Sequence, residues 1–245
     1  MHKKEQITED TKKQTLIQHL DELRKRLIYS VIVLAGFALV TYNFSELIVK
    51  DMVNKAPDMT FVFIAPAELF MVYIKIALIG AIVLSLPFIL YNVWMFLSPG
   101  LEKSEKRIIL LSLLSGGLLF VLGAIFGYMV TLPITIKFFG DFSLDEVQSM
   151  ISFSNYLSFA ITMVFSFGLI FELPILMVLL VQLGIVKTSF LKTNRKMMVL
   201  VIFIVAAVLT PPDIISQSLL ARPMLLLFEV GIFFANITEK RKLKK

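Results

Sequence analysis

Long apolar runs without a charged residue dominate the hydrophobic pattern of the chain. Four of them lie between consecutive charged residues and cover 27–45, 76–101, 108–136 and 147–171. Each is close to or longer than the roughly 20 residues that cross a bilayer as a helix. An amphipathic helix of a soluble domain would instead place an apolar residue at every third or fourth position. The pattern therefore predicts an all-α polytopic membrane protein.

Six transmembrane helices are predicted when the shorter runs are included. They cover about residues 27–47, 69–97, 108–133, 156–183, 197–209 and 219–237. The fifth and sixth spans are short, and a helix over 197–209 rises only about 20 Å against a hydrocarbon core of roughly 30 Å. Pro87, Pro133 and Pro174 interrupt three spans, because proline lacks the N–H that continues a helix. We therefore expect a kinked, concave bundle whose last hairpin stops below the outer surface.

Basic residues predict the orientation of these spans. Nineteen of the 24 Lys and Arg residues lie in the N-terminal segment, in the connections after the second and fourth spans, and in the C-terminal tail. Since short basic loops stay in the cytoplasm, both termini are expected there, in a multi-pass protein of the cell membrane. The chain then divides into a cytoplasmic segment (1–26), a membrane domain (27–237) and a basic cytoplasmic tail (238–245). Within the first segment, residues 15–28 predict an amphipathic interfacial helix.

Composition argues against the common catalytic classes. The chain is 58% hydrophobic and only 17% charged, with a mean hydropathy of +0.85. It has no cysteine, and both histidines, His2 and His19, precede the first apolar run. Neither a thiolate nucleophile nor a histidine-based centre within the membrane can therefore be built. We expect no enzyme activity, no bound metal and no cofactor.

Two carboxyl groups lie inside predicted spans. Glu172 comes about sixteen residues into the fourth span, where a charge costs at least about 2.5 kcal/mol. An intramembrane carboxyl of this kind is a functional residue by default, and a structural hydrogen bond to a backbone carbonyl is the alternative. Gly168, one turn earlier, is expected to leave space beside it. Glu229 in the last span receives the same interpretation.

Small residues in the third span predict close helix packing. Gly116, Gly123 and Gly127 share one helical face, and the last two form a GxxxG motif that lets two helix backbones approach. A recognition surface is the alternative interpretation of this face.

Several short motifs follow one another along almost the whole chain. Residues 19–27 read HLDELRKRL, and residues 91–101 read YNVWMFLSPGL, with Glu105, Lys106 and Arg107 soon after. Residues 171–174 read FELP, residues 209–213 read LTPPD, and residues 227–231 read LFEVG. This ordered set resembles the TatC family, the multi-span subunit of the twin-arginine protein translocase. Six spans with both ends in the cytoplasm are also that family's topology.

The resemblance implies a function in protein export. It implies a receptor for signal peptides with two consecutive arginines and a core subunit of a translocase that exports folded proteins with the proton-motive force. The residues implied in signal binding are Glu22, Arg24, Phe96 and Glu105. Two adjacent guanidinium groups need carboxylates, preferably in bidentate geometry, which suits the two glutamates.

The resemblance also implies further functional positions and partners. Gln217 joins Glu172 and Glu229 as a polar residue within the membrane, and the implied external turn consists of Pro211, Pro212 and Asp213. The expected partners are a TatA-type single-span subunit, with or without a TatB-type one, other TatC copies, signal peptides and the bilayer, but no nucleic acid. The short fifth span offers a docking edge with adaptable apolar side chains, namely Met197, Met198, Val201 and Val205.

Two other functions remain open from the residues alone. A proton-coupled small-molecule transporter could use Glu172 as its coupling carboxyl, although we find no matching motif between the two halves of the chain. An assembly scaffold without a ligand is the third possibility.

Overall fold

The structure is a computed structural model, and it describes residues 2–57, 59–100, 103–140, 150–209 and 214–242. Helices make up most of this part of the chain. They are α1 (His2–Asn54), α2 (Glu68–Leu97), α3 (Lys103–Phe126), α4 (Leu132–Gly140), α5 (Phe153–Phe171), α6 (Leu173–Gln182), α7 (Thr188–Thr193), α8 (Arg195–Leu209) and α9 (Ile214–Lys242). A 3-10 turn at Ser98–Gly100 follows α2, and a π-helical segment at Gly127–Thr131 joins α3 to α4.

Five helical stretches among the described residues are long and apolar enough to cross a membrane. They are Gln18–Asn54, Glu68–Leu97, Lys106–Gly140, Phe153–Gln182 and Leu220–Lys240. The prediction of an all-α multi-pass membrane protein is thereby confirmed. The helix of the predicted fifth span, α8, has 15 residues and is shorter than a usual span. The total of six spans and their orientation stay predictions.

The first and last helices are longer than the elements predicted at the two ends of the chain. The predicted amphipathic segment is not a separate helix, since α1 continues from it into the first span over 53 residues. The helix of the predicted sixth span is also longer than expected, because α9 runs for 29 residues. A helix of that length rises about 43 Å, so of the helices in the predicted fifth and sixth spans α8 alone is shorter than a hydrocarbon core of about 30 Å.

Proline has different effects in three spans. Pro87 lies inside α2, which continues through it. The π-helical segment at Gly127–Thr131 directly precedes Pro133, and such segments accommodate a backbone whose regular hydrogen bonds are interrupted. The fourth span is divided at Glu172 into α5 and α6, with Pro174 in the first turn of α6. The interruptions predicted at Pro133 and Pro174 are therefore present.

The end of α6 shows a typical glycine-dependent helix stop. Gly184 has a positive φ of 78°. Its N–H donates to the carbonyl of Val181, and the N–H of Ile185 donates to the carbonyl of Leu180. These two bonds form a Schellman motif, in which glycine adopts the left-handed conformation without steric cost. The chain then turns toward α7 and α8.

Glycine allows α3 and α5 to pack closely. A Cβ atom on Gly123 would lie 2.4 Å from the carbonyl oxygen of Phe167, and one on Gly127 would lie 3.0 Å from the Cβ atom of Phe167. The predicted close packing at the GxxxG motif is therefore confirmed. Gly116 is not part of this contact, since among the described residues no atom outside its own turn of α3 lies within 4 Å of its Cβ position.

The bundle is held together by a series of helix pairs. The α1 helix packs on α2, which contacts α3 and α5, while α9 packs on α6 and α8. At the contact of α9 with α6, a Cβ atom on Gly231 would lie 2.7 Å from the Met177 sulfur. Such contacts supply the van der Waals packing that drives helix association in a membrane, where lipid and side chains are equally apolar.

A two-stranded parallel sheet joins the connections after the first and third spans. Strand β1 (Thr60–Val62) pairs with β2 (Met150–Ser152), and Phe61 lies opposite Ile151. The all-α prediction missed this element, since three residues are too few to show a strand period. Two side-chain hydrogen bonds also connect these segments. The Tyr156 hydroxyl donates to the carbonyl of Met52, and the Ser152 hydroxyl donates to the Glu68 carboxylate.

Candidate functional site

The start of the first span, around His19 of α1, meets the last turn of α2 at the predicted cytoplasmic side of the bundle. The His19 ring of α1 stacks on the Phe96 ring in the last turn of α2, with centroids 4.3 Å apart and an angle of 16° between the planes. Glu22 follows His19 by three positions, so the two share a helical face. The ring stack thereby brings two of the predicted signal-binding residues, Glu22 and Phe96, to one surface.

The Glu22 carboxylate already has a cationic partner. Arg26, one turn along α1, donates to its Oε1 atom from Nε at 3.2 Å and from Nη2 at 2.8 Å. The Glu22 side chain is 35% exposed and that of Arg26 is 21% exposed. Both bonds use the same oxygen, and among the described residues no other group donates to this carboxylate, so Oε2 keeps the lone pairs that a second guanidinium group requires. This geometry allows Glu22 to accept an incoming arginine without first losing Arg26.

The other two predicted signal-binding residues, Arg24 and Glu105, are not shown next to Glu22. Arg24 is exposed, and because it comes two positions after Glu22 it points to a different side of α1. The backbone of Glu105 belongs to the first part of α3, but its side chain lies outside the described part of the structure. The structure therefore places Glu22 on the face of α1 that contacts Phe96 through His19, and it places Arg24 on a different side of that helix.

An apolar groove runs between α2 and α3. One wall extends from Trp94 to Val83 on α2, and the other extends from Leu110 to Val121 on α3. The groove has a volume of about 360 Å³. Its lining is almost entirely aliphatic and aromatic, as expected for a surface that faces hydrocarbon.

Glu172 lies at the junction of α5 and α6, and its side chain is partly buried. Its backbone carbonyl accepts from the N–H of Leu176, at 3.0 Å. Among the described residues, the carboxylate forms no ion pair and accepts no hydrogen bond. The space predicted beside it at Gly168 is absent, because the Phe120 ring of α3 would lie 2.8 Å from a Cβ atom there. The glycine instead serves close packing of α3 on α5.

The other two predicted intramembrane polar residues have partners that sequence analysis did not assign. The Glu229 carboxylate pairs with the Arg195 guanidinium at 3.0 Å, and both side chains are about half exposed. The Gln217 amide donates to the backbone carbonyl of Phe203, at 2.9 Å. Both contacts connect α9 with α8. Glu229 is thus paired with the first residue of α8, and it is not an isolated charge within the hydrocarbon core.

The predicted docking edge is divided between two faces of α8. Met197, Val201 and Val205 are exposed, at 64%, 44% and 38% respectively. Met198 instead packs against the buried core. Three of the four predicted residues therefore lie on an exposed face of α8. The predicted external turn of Pro211, Pro212 and Asp213 lies outside the described residues.

His19 and Arg195 contribute to these sites but were not predicted from the sequence. His19 occurs within the first family motif, which was the available signal for a role. Arg195 counted only as one of several basic residues in its connection, and no spacing rule relates it to Glu229. The described residues contain no group of three His, Asp or Glu side chains placed to hold a metal ion.

Comparison with known proteins gives a consistent result. The family model described as Sec-independent protein translocase protein (TatC) matches residues 18–223. A protein of that name from Carboxydothermus hydrogenoformans is 39% identical over 236 residues, which cover 95% of this chain and 97% of the relative. Its namesake from Escherichia coli K12 is 38% identical over 233 residues, which cover 93% and 90% respectively. A crystal structure of the twin-arginine translocase receptor TatC superposes with a TM-score of 0.77 at 33% identity, covering 90% of this chain and 99% of that one.

Proposed function

The chain belongs to the TatC family of Sec-independent protein translocase proteins, and we propose that it is the receptor for signal peptides with two consecutive arginines. As a core subunit of the twin-arginine translocase, it takes part in the export of folded proteins driven by the proton-motive force. It recognises the signal and recruits the other subunits, and it performs no catalysis itself.

The surface formed by His19, Glu22, Phe96 and Glu105 is the proposed recognition surface. The observation that carries this assignment is the stack of the His19 ring on the Phe96 ring, because Glu22 lies one turn from His19 on the same face of α1. Charge-assisted bonds between arginine and carboxylate are about twice as strong as neutral ones. Glu22 has an oxygen available for one signal arginine, and Glu105, on the connection that follows Phe96, is proposed to accept the other.

Family membership also supports a set of partners and a location. As a translocase component the chain works with other Tat subunits. We propose that a TatA-type single-span subunit docks on the exposed face of α8, and that further TatC copies join the complex. The excess of basic residues in alternate connections supports cytoplasmic termini in the cell membrane.

A binding measurement with paired peptides tests this function. The full chain in lipid nanodiscs is titrated with a labelled signal peptide containing two arginines and with the same peptide containing two lysines. We expect markedly tighter binding of the arginine peptide, because lysine cannot form the planar two-point contact with a carboxylate. Equal binding of both peptides, or no binding of either, would contradict the receptor function.

The same preparation tests the proton-coupled transporter. A small-molecule transporter would acidify the lumen of proteoliposomes on addition of its solute, without a requirement for a signal peptide. The family assignment gives no support to this alternative, and we expect no such proton movement.

A further inference from the structure

The groove between α2 and α3 is long enough to hold an acyl chain. Val83 and Trp94, at its two ends on α2, are eleven residues apart, which corresponds to about 17 Å along a helix. The groove is open along one side, and apolar side chains line it over this length. An extended acyl chain can therefore lie along it in contact with both walls.

Two basic residues extend the α3 wall of the groove beyond its apolar part. Leu110 is the last lining residue at this end, and Lys106 and Arg107 precede it by four and three positions. Since residues three and four apart lie on the same helical face, both cations stand above the end of the groove. Basic sites between transmembrane helices at the cytoplasmic side bind anionic lipid headgroups.

Aromatic residues on the α2 wall indicate that this end of the groove lies at the depth of the lipid headgroups. Tyr91 and Trp94 line the groove in the last turns of α2. Tyrosine and tryptophan prefer the boundary between hydrocarbon and headgroups, where an apolar ring and a polar group are both accommodated. The apolar part of the groove therefore lies at the depth of acyl chains, and the two cations lie at the depth of phosphates.

We propose that this groove is a binding site for an anionic phospholipid. One acyl chain occupies the space between α2 and α3, and the phosphate of the headgroup contacts Lys106 and Arg107. The site adjoins the recognition surface, because Lys106 directly follows Glu105, but it does not depend on the proposed receptor function.

The single tryptophan of the chain provides a direct measurement, because Trp94 lines the groove. The full chain is reconstituted in nanodiscs of phosphatidylcholine with increasing fractions of lipid brominated on the acyl chain. Bromine quenches tryptophan fluorescence on contact. We expect brominated phosphatidylglycerol to reach half of its maximal quenching at about a tenfold lower fraction than brominated phosphatidylcholine, since each nearby basic side chain favours an anionic headgroup.

A pair of double variants separates the site from general charge attraction. Lys106→Gln with Arg107→Gln should abolish the preference for phosphatidylglycerol while quenching by phosphatidylcholine persists. Lys192→Gln with Lys196→Gln removes the same charge from the other basic connection and should leave the preference unchanged. Leu114→Phe, which adds volume to the groove lining, should weaken quenching by both lipids.

Three results would overturn the proposal. The first is equal quenching by the two lipids in the parent protein. The second is a preference that survives in the Lys106/Arg107 variant or is lost equally in both double variants. The third is quenching that ignores the headgroup and disappears when an unbrominated signal peptide or a single-span helix is added, which would assign the groove to a protein segment.

Discussion

The His19 imidazole of α1 lies flat against the Phe96 ring of α2, with ring centroids 4.3 Å apart. Through this contact the end of the first span fixes the position of the end of the second. Glu22 stands on the same face of α1, one turn from the stack, and its carboxylate pairs with Arg26 one turn further along. The stack is therefore a positioning element for the recognition surface.

The first prediction concerns this stack. His19→Ala and Phe96→Ala should each weaken binding of a twin-arginine peptide, and the double variant should lose less than the sum of the two. Aromatic pairs contribute about 0.5–1.5 kcal/mol beyond their buried area, which sets the expected coupling energy. Peptide titration of the four proteins in nanodiscs measures it. His19→Phe keeps a ring at this position and should retain most of the binding, whereas strictly additive losses would show that the stack is not a unit.

The second prediction concerns the carboxylates of the recognition surface. Glu22→Ala and Glu105→Ala should each weaken twin-arginine binding by about 2 kcal/mol or more if the bound arginine is shielded from water, and by under about 1 kcal/mol at an exposed rim. Glu22 is about one-third exposed, so we expect a value between these limits. Crosslinking and peptide titration provide the measurement.

Asp21→Ala is the matched control for that experiment. Asp21 neighbours Glu22 in sequence and pairs with Lys25 at 2.8 Å, so it has the same charge and a similar local partner. Asp21 lies on a different side of α1 from Glu22, so Asp21→Ala should leave peptide binding unchanged. A loss as large as that of Glu22→Ala would indicate a general effect of negative charge.

The sequence predicted the spans well and their side-chain partners poorly. Apolar runs and prolines follow from local composition, so the four long spans and the interruption at Pro174 could be predicted directly. The partner of Glu229 could not, because Arg195 is 34 positions away and the contact depends on how α8 packs on α9. Gly168 shows the same limit, since its need for a small residue comes from Phe120 on another helix.

The third prediction compares two glycines on α3. Gly123→Ala should destabilise the protein by about 1–3 kcal/mol, because its new methyl group would overlap the backbone of α5. Gly116→Ala adds the same group on the same helix where no atom lies within 4 Å, and it should be neutral or slightly stabilising. Thermal unfolding in detergent gives both values. Equal effects of the two variants would show that close packing of α3 on α5 does not limit stability.

The fourth prediction concerns Glu172. Glu172→Gln keeps a polar side chain but cannot ionise, and we expect it to preserve signal binding while lowering export in energised vesicles. The reason is that a partly buried carboxyl at a helix break, with no ion-pair partner among the described residues, responds readily to an arriving cation or a proton. Glu172→Asp remains ionisable and should retain more export. Export by Glu172→Gln at the parent's rate would exclude a titrating role.

The last prediction is that α8 forms the docking edge for a single-span partner. Its 15 residues rise about 22 Å, which leaves a deficit against a hydrocarbon core of about 30 Å that a short partner helix fills better than lipid. Single cysteines are informative because the chain has none of its own. Val201→Cys, on the exposed face of α8, should crosslink to a TatA-type helix more efficiently than Met198→Cys. Met198 lies on the same helix but packs against the buried core of the bundle. The crosslinking of Val201→Cys should also be more efficient than that of Ile125→Cys, an equally exposed position on α3. The opposite ranking would exclude this edge, and four leucines inserted into α8 should reduce partner association if the length deficit is what the partner recognises.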